Sequence, residues 1–332
     1  LAEHSLMNLD AALNCFDAAL FIDPSNLDAQ WNKSHVLLTL GRYEEGFWLY
    51  ETRWKHPQIQ LKKRKFESQL WLGHENLLGK TVLLHAEGGF GDTIQFIRYA
   101  KLFEPRVRLI IQCQTPLIEL VKGMGLKADL ITPGETPPPH DFHCPLMSLP
   151  LAFGTTIETV PYSHPYIYAS DEHVKKWDAF VNQMTGPKIG IVARGSSSFV
   201  NDKSRSFDLK ALVAQLPKNA SYIVLQKDLS DEERMFVNSF ENIFAPGKKL
   251  ESFSDTAAIC KHLDQVISVD TGVAHLSAAL GTSTSVLLAY RPDWRWGAEG
   301  ETSAWYSSAR LIRQDRFGGW EKALSTWHMD CL

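Results

Sequence analysis

The spacing of hydrophobic positions along the chain changes near residue 80. Before it, apolar residues sit among polar ones at helical intervals. These run from Leu9-Asp10-Ala11-Ala12-Leu13-Asn14-Cys15-Phe16 to Ala19-Leu20-Phe21-Ile22, and again over Tyr43-Glu44-Glu45-Gly46-Phe47-Trp48-Leu49-Tyr50. After it, short continuous apolar runs alternate with helical stretches. Thr81–Ala86 and Val107–Gln112 read as buried strands, with helices over Thr93–Phe103 and Leu117–Met124. A second set begins at Lys188–Val192 and continues through Tyr222–Leu225, Gln265–Val269 and Ser285–Leu288. Its helices are Leu209–Leu216, Asp231–Phe240, Thr256–His262 and Val273–Leu280. Strands apolar on both faces with helices between them predict parallel sheets covered on both sides. The chain therefore reads as two α/β halves joined by a polar helix over Asp171–Met184, with proline-rich 133–139 as a loop. Such halves hold a ligand in the cleft between them, at the carboxyl ends of their strands.

The first part also repeats itself. Ala12 and Gly46 are 34 residues apart, and so are Phe16 and Tyr50. That period, with small and aromatic residues in matching places, is the signature of tetratricopeptide units. Trp31 is expected to open one helix and Leu40-Gly41-Arg42-Tyr43 to turn into the next. Roughly one and a half units are visible where about three are needed to stand alone. The segment is therefore expected to pack on the following domain, to continue upstream in a longer protein, and to offer a groove for a peptide or protein. Residues 54–65, basic and broken by Pro57, read as a strap. The expected domains are 1–60, 61–170 and 171–332.

Composition narrows the class. Charged residues make up 22% and hydrophobic ones 44% of the 332 residues, the balance of a globular protein. A formal charge of −4 argues against nucleic acid as partner. No apolar run is long enough to span a bilayer. Cys15, Cys113, Cys144, Cys260 and Cys331 never form a CxxC pair, the usage of a reducing cytoplasm.

Three stretches carry candidate chemistry. Glu87-Gly88-Gly89-Phe90-Gly91-Asp92 joins the first strand to its helix. Gly88, Gly89 and Gly91 leave the backbone room to approach a ligand. GxGxxG spacing is absent, and Asp92 would repel a pyrophosphate there. Asp92 reads either as a base taking a proton from a hydroxyl or as a helix cap. In Ser268-Val269-Asp270-Thr271-Gly272-Val273-Ala274-His275 a strand again enters a helix, whose free N–H groups suit a diphosphate. Thr271 caps it, His275 lies one turn on, and Asp270 faces a sugar or the loop backbone. The loop 195–206 offers Lys203 and Arg205 against a departing diphosphate. Gln226 and Lys227 end another strand, where a base or ribose can lie. His140, His143 and Cys144 are read as ordinary loop residues, since no fourth metal ligand is evident. Tyr290-Arg291-Pro292-Asp293-Trp294-Arg295-Trp296 either closes over a ligand or covers a sheet edge.

Taken in order, His85–Phe96, Asp141–Pro150, Val269–His275 and Pro292–Trp296 resemble the heptosyltransferase-like glycosyltransferases, the ADP-heptose:lipopolysaccharide family. They resemble most its bacterial members joined to tetratricopeptide repeats. The resemblance runs from about residue 65 to the end. It implies a GT-B fold: two Rossmann-like domains facing a cleft, with the acceptor on the first and an ADP- or UDP-linked sugar on the second. It implies inversion without a metal, with Asp92 as base, Lys203 or Arg205 near the phosphate cation, and Asp270–His275 as the donor loop. The absence of any Asp-x-Asp pair agrees. Ala193-Arg194-Gly195-Ser196 departs from the tryptophan-small-glycine-asparagine turn expected there. The acceptor is a protein, peptide or glycan hydroxyl. A degenerate fold used as a binding scaffold and a nucleotide-sugar epimerase or hydrolase are the alternatives.

Overall fold

The computed structural model describes residues 7–57, 66–161, 164–195 and 202–330. The part before residue 58 forms three helices, Leu9–Ile22, Leu27–Thr39 and Tyr43–Tyr50. Asn26 caps the second by accepting the Ala29 N–H, so Trp31 lies a turn inside that helix and does not open it. The turn at 40–42 falls where the repeat places it. Ala12 and Gly46 are both buried, as are Phe16 and Tyr50. A Cβ on Gly46 would stand 2.7 Å from the Leu38 side chain, so the close approach of these two helices depends on that glycine.

Eleven described strands form two wholly parallel sheets. They are β1 (Gln69–Leu70), β2 (Thr81–His85), β3 (Arg108–Gln112), β4 (Ala128–Ile131), β5 (Phe142–Pro145), β6 (Lys188–Val192), β7 (Ser221–Val224), β8 (Ile243–Phe244), β9 (Gln265–Val269), β10 (Thr284–Leu288) and β11 (Ala309–Arg313). The first sheet has the order β1-β5-β2-β3-β4 and the second β11-β10-β9-β6-β7-β8. In the second the chain starts in the middle at β6, builds one side and then crosses to the other; in the first it enters at the edge with β1 and follows the same course from β2. Strand order reverses between β2 and β5, and again between β6 and β9. Crevices open at such points because the helices that follow neighbouring strands diverge to opposite faces.

Several expected boundaries move. The helix expected over 93–103 begins earlier, at Phe90, and tightens to a 3₁₀ turn from Ile97. His143 and Cys144 belong to β5, not to a loop, because β5 pairs with β1 on one side and β2 on the other and buries Cys144 in the core. β4, β8 and β11 were not marked by apolar runs; each alternates with polar or half-exposed residues, as edge strands do.

One continuous cluster of buried side chains runs through all three parts. It includes Phe47 and Tyr50 from the helical segment, Val82 and Phe96 from the first half, and Ala274, Trp294 and Trp305 from the second. Arg98, wholly buried, ties them further. It donates to the carbonyl of Trp305 at 2.6 Å and to the Tyr166 hydroxyl at 3.0 Å. Among the described residues, no helix is long and apolar enough to cross a membrane.

Candidate active site

The two reversal points face each other. From the first half, the chain leaves β2 at His85 and turns through Glu87 to Gly89, which precedes the helix Phe90–Phe96. Asp92 is the third residue of that helix rather than its cap. Its Oδ2 reaches back to accept the Gly89 N–H at 2.7 Å. Gly88 is compulsory beside it, because a Cβ there would lie 2.1 Å from Oδ2. Glu87 turns the other way, into the protein. It accepts a two-point contact from Arg53 and a bond from the Met147 N–H at 3.2 Å. Burial pushes the Glu87 carboxyl upward in pKa, against the pull of Arg53.

From the second half comes β9, ending at Val269 just before Asp270, and the helix Gly272–Ala279. Thr271 caps it, accepting the Ala274 N–H at 3.4 Å, and bonds Ser268 at 2.9 Å. Gly272 sits under Phe90 and Phe253, whose rings are 5.0 Å apart. His275 is buried at 4% exposure and meets Gly91 across the interface. Its Nδ1 pairs with the Tyr306 hydroxyl at 2.9 Å, and its ring stacks on Trp296. Burial, helped by nearby Arg295, lowers its pKa to about 3. The imidazole is therefore neutral, and its 3.7 Å approach to Asp270 is not an ion pair. Burial, with Asp293 adding repulsion, raises the Asp270 carboxyl to about 6.

Arg205 reaches the same strand end, donating to the Asp270 carbonyl at 2.7 Å while its Nε pairs with Asp202 at 3.1 Å. Gly195 lets it pass: a Cβ there would stand 2.5 Å from the Arg205 Nη2. The Lys203 side chain and residues 196–201 lie outside the described residues. Gln226 is buried, with Oε1 accepting the Ala193 and Arg194 N–H groups. Its Nε2 has no partner among the described residues. Lys227 is exposed. Arg194, at the departure from the expected turn, is spent on Glu233 at 2.9 Å and on the Asp228 carbonyl.

Arg295 is the residue that the sequence pattern left unassigned. Its Nη2 donates to Asp92 Oδ1 at 2.6 Å, and its Nη1 to Asp293 at 2.7 Å. The 292–296 loop thus does reach the cleft, and its back is packed on the helical segment. Trp294 lies edge-on to Phe47, with ring centres 5.6 Å apart. The signal available in the sequence was an arginine among aromatics next to an aspartate, too common to single out. A cavity of about 580 Å³ opens beside Arg295, bounded by Tyr43, Ile157, Trp296 and Ser303. Among the described residues no group of three or more His, Cys, Asp or Glu side chains is placed to hold a metal.

The architecture matches solved structures. A glycosyl transferase of family 9 from Veillonella parvula superimposes with a TM-score of 0.52 at 11% identity, over 76% of this chain and 92% of that one. The iron-containing dodecameric glycosyltransferase TibC of enterotoxigenic E. coli gives 0.52 at 12% identity, over 75% and 67%. This chain has the fold of those transferases. In sequence, Protein FlbA of Caulobacter vibrioides is 24% identical over an alignment 355 positions long, covering 97% of this chain and 58% of FlbA. The chain thus spans little more than half the length of that relative. No family model matches it.

Proposed function

We propose that the protein is a glycosyltransferase that moves a sugar from a nucleoside-diphosphate donor to a hydroxyl, with inversion and without a metal. The observation that carries this is the meeting of the Asp92 loop with the Asp270–His275 helix start, Gly91 lying directly on His275. It puts a carboxylate from one half beside the crevice of the other, in a fold shared with transferases. In the proposed step Asp92 takes the proton of the acceptor hydroxyl. The acceptor oxygen bonds to the anomeric carbon as the bond from that carbon to the phosphate oxygen breaks, and the electron pair leaves with the diphosphate. The N–H groups at Gly272, together with Arg205 and Lys203, stabilise the charge that develops there. Gln226 and Lys227 line the base or ribose side. We place the acceptor hydroxyl on a protein or glycan: we read the helices before residue 58 as tetratricopeptide units from their 34-residue period, and they bear Trp48, 67% exposed, beside a cavity of about 750 Å³.

One observation favours a second reading, a scaffold. Phe90 covers Gly272 and His275 is packed away, so the crevice is shut at the donor loop. A panel of ADP, UDP, GDP and CDP with EDTA separates the two. A transferase is stabilised by at least one of them, and its base names the donor class. Release of diphosphate from the matching sugar donor should then fall about 100-fold in Asp92→Asn. No thermal shift with any nucleotide would leave the scaffold.

A further inference from the structure

The helix Tyr43–Tyr50 puts its two faces to different uses. Tyr43, Phe47 and Tyr50 turn inward and are buried against the two halves. Glu44 and Trp48, one turn apart on the outer face, are exposed. Of the ten tryptophans Trp48 alone is exposed, and among the described residues its ring meets no other aromatic. Glu44 makes no ion pair among the described residues. A tryptophan left in water is the side chain that most often anchors a bound partner.

The cavity of about 750 Å³ beside Trp48 is a trough walled by Leu20, Pro24, Leu49 and, from the first half, Leu151. Apart from Glu44, its polar side chains are already spent. Gln30 donates through Nε2 to the Pro24 carbonyl at 2.7 Å, Lys33 is held by Asp17, and Glu45 is paired with Arg42 at 2.7 Å. A sugar seated here would bury hydroxyls without partners. An aliphatic side chain would not. A cation next to it would meet the indole face of Trp48 and the carboxylate of Glu44 together. The surroundings have the matching sign, since residues 7–57 carry seven acidic side chains against four basic ones. That excess draws a basic segment and repels an acidic one.

We infer that this trough seats a peptide segment in which an arginine or lysine stands next to an aliphatic residue. The aliphatic side chain lies among Leu20, Leu49 and Leu151, and the cation lies against Trp48 and Glu44. The trough belongs to the half that bears Asp92. Leu151 sits in the short helix Leu149–Ala152, directly after the turn Leu146–Ser148. That turn is bonded through the Met147 N–H to Glu87, at the head of the Asp92 loop. The seated peptide is therefore the carrier of the acceptor hydroxyl. This last step rests on the transferase reading and narrows it from glycan to protein; the seat itself does not depend on it.

Binding is measured by fluorescence anisotropy, without nucleotide, on labelled octapeptides of glycine and serine that carry one arginine between two leucines. Three analogues replace the arginine by glutamine, the arginine by glutamate, or both leucines by serine. The arginine peptide should bind about fivefold more tightly than the glutamine one, and the glutamate peptide more weakly still. The peptide without leucines should lose at least about tenfold. Trp48→Ala should weaken the arginine peptide about tenfold, and Glu44→Gln about threefold. In Glu44→Gln the preference for arginine over glutamine should shrink by the same factor, because the carboxylate that reads the charge is gone. Both side chains are exposed, so neither substitution threatens the fold. Failure of all four peptides to bind overturns the seat. So does equal binding of the arginine and glutamine peptides, or a Trp48→Ala variant that binds as the wild type does. Sedimentation tests the other occupant: if the wild type self-associates and Trp48→Ala is monomeric, the trough holds a second copy and the peptide seat is wrong. The nucleotide panel decides the transferase reading separately. Its failure beside a bound peptide would remove the acceptor role and leave the seat, and the converse would leave a transferase without it.

Discussion

Arg53 and Glu87 form a fork-to-fork ion pair, 3.0 Å from Nε to Oε2 and 2.9 Å from Nη2 to Oε1, with side chains only 3% and 12% exposed. The arginine ends the helical segment, and the glutamate opens the loop that carries Asp92. Arg53 also donates to Ser148 and Glu51, so the same guanidinium pins the 3₁₀ turn Leu146–Ser148 that follows β5. The helical segment is thereby a bracket. It grips the first half through Arg53 and the second through Trp294 and through Tyr43, whose hydroxyl accepts from Trp305 Nε1 at 3.0 Å.

Breaking that pair from one side strands a buried charge. Arg53→Met should cost about 3–5 kcal/mol of unfolding free energy. Arg53→Met/Glu87→Leu should recover part of the loss, because no carboxylate is then left unpaired. Urea unfolding of the two variants checks both statements. A single variant within about 0.5 kcal/mol of the wild type would show that the bracket is ornamental.

The contact of Gly91 with His275 leaves no room for a methyl group. A Cβ at 91 would lie 2.7 Å from His275 Cδ2. The imidazole cannot yield, being stacked on Trp296 and bonded to Tyr306. Gly91→Ala should therefore cost about 1–3 kcal/mol by overpacking and push the two halves apart. A thermal melt reads the cost. An unchanged melting temperature would mean that the halves do not meet as described.

Asp270 and His275 set opposite pH dependences. Asp270 titrates at about 6 in the fold against an ordinary 3.8, so the fold binds its proton more tightly than the unfolded chain does. That contribution is present at low pH and is lost as pH rises from about 3.8 to about 6. His275 titrates at about 3 against 6.5, so its contribution is absent at low pH and grows as pH rises through that window. Where the windows overlap they oppose each other. Asp270→Asn should leave the histidine effect bare, with stability rising on the order of 2 kcal/mol between about pH 4 and 6. His275→Gln should show the reverse slope. Parallel pH profiles for the two variants would remove both groups from the account.

Much of this arrangement was legible in the residues themselves. Continuous apolar runs such as Val82–Leu84 and Ile189–Val192 can be buried on both faces only in a parallel sheet, and the runs found the central strands except β5, whose His143 and Pro145 break the apolar pattern. Edge strands such as β4 and β11 escaped notice, since a strand covered on one side has no need to be apolar throughout. The glycines at 88 and 91 were read as room for a ligand. Asp92 and His275 fill the space they leave, and which neighbour occupies a gap is a long-range fact.

The sequence determined by itself the two α/β halves, the helical segment before them, and the loops that end their strands, because local periodicity and turn chemistry decide these over a few residues. The tertiary structure alone decided that Arg295 reaches Asp92 across 203 positions of chain and that Arg53 grips Glu87 from 34 away. Each of those charges is tolerable only where its buried partner waits, and no local pattern encodes the distance between two side chains brought together by folding.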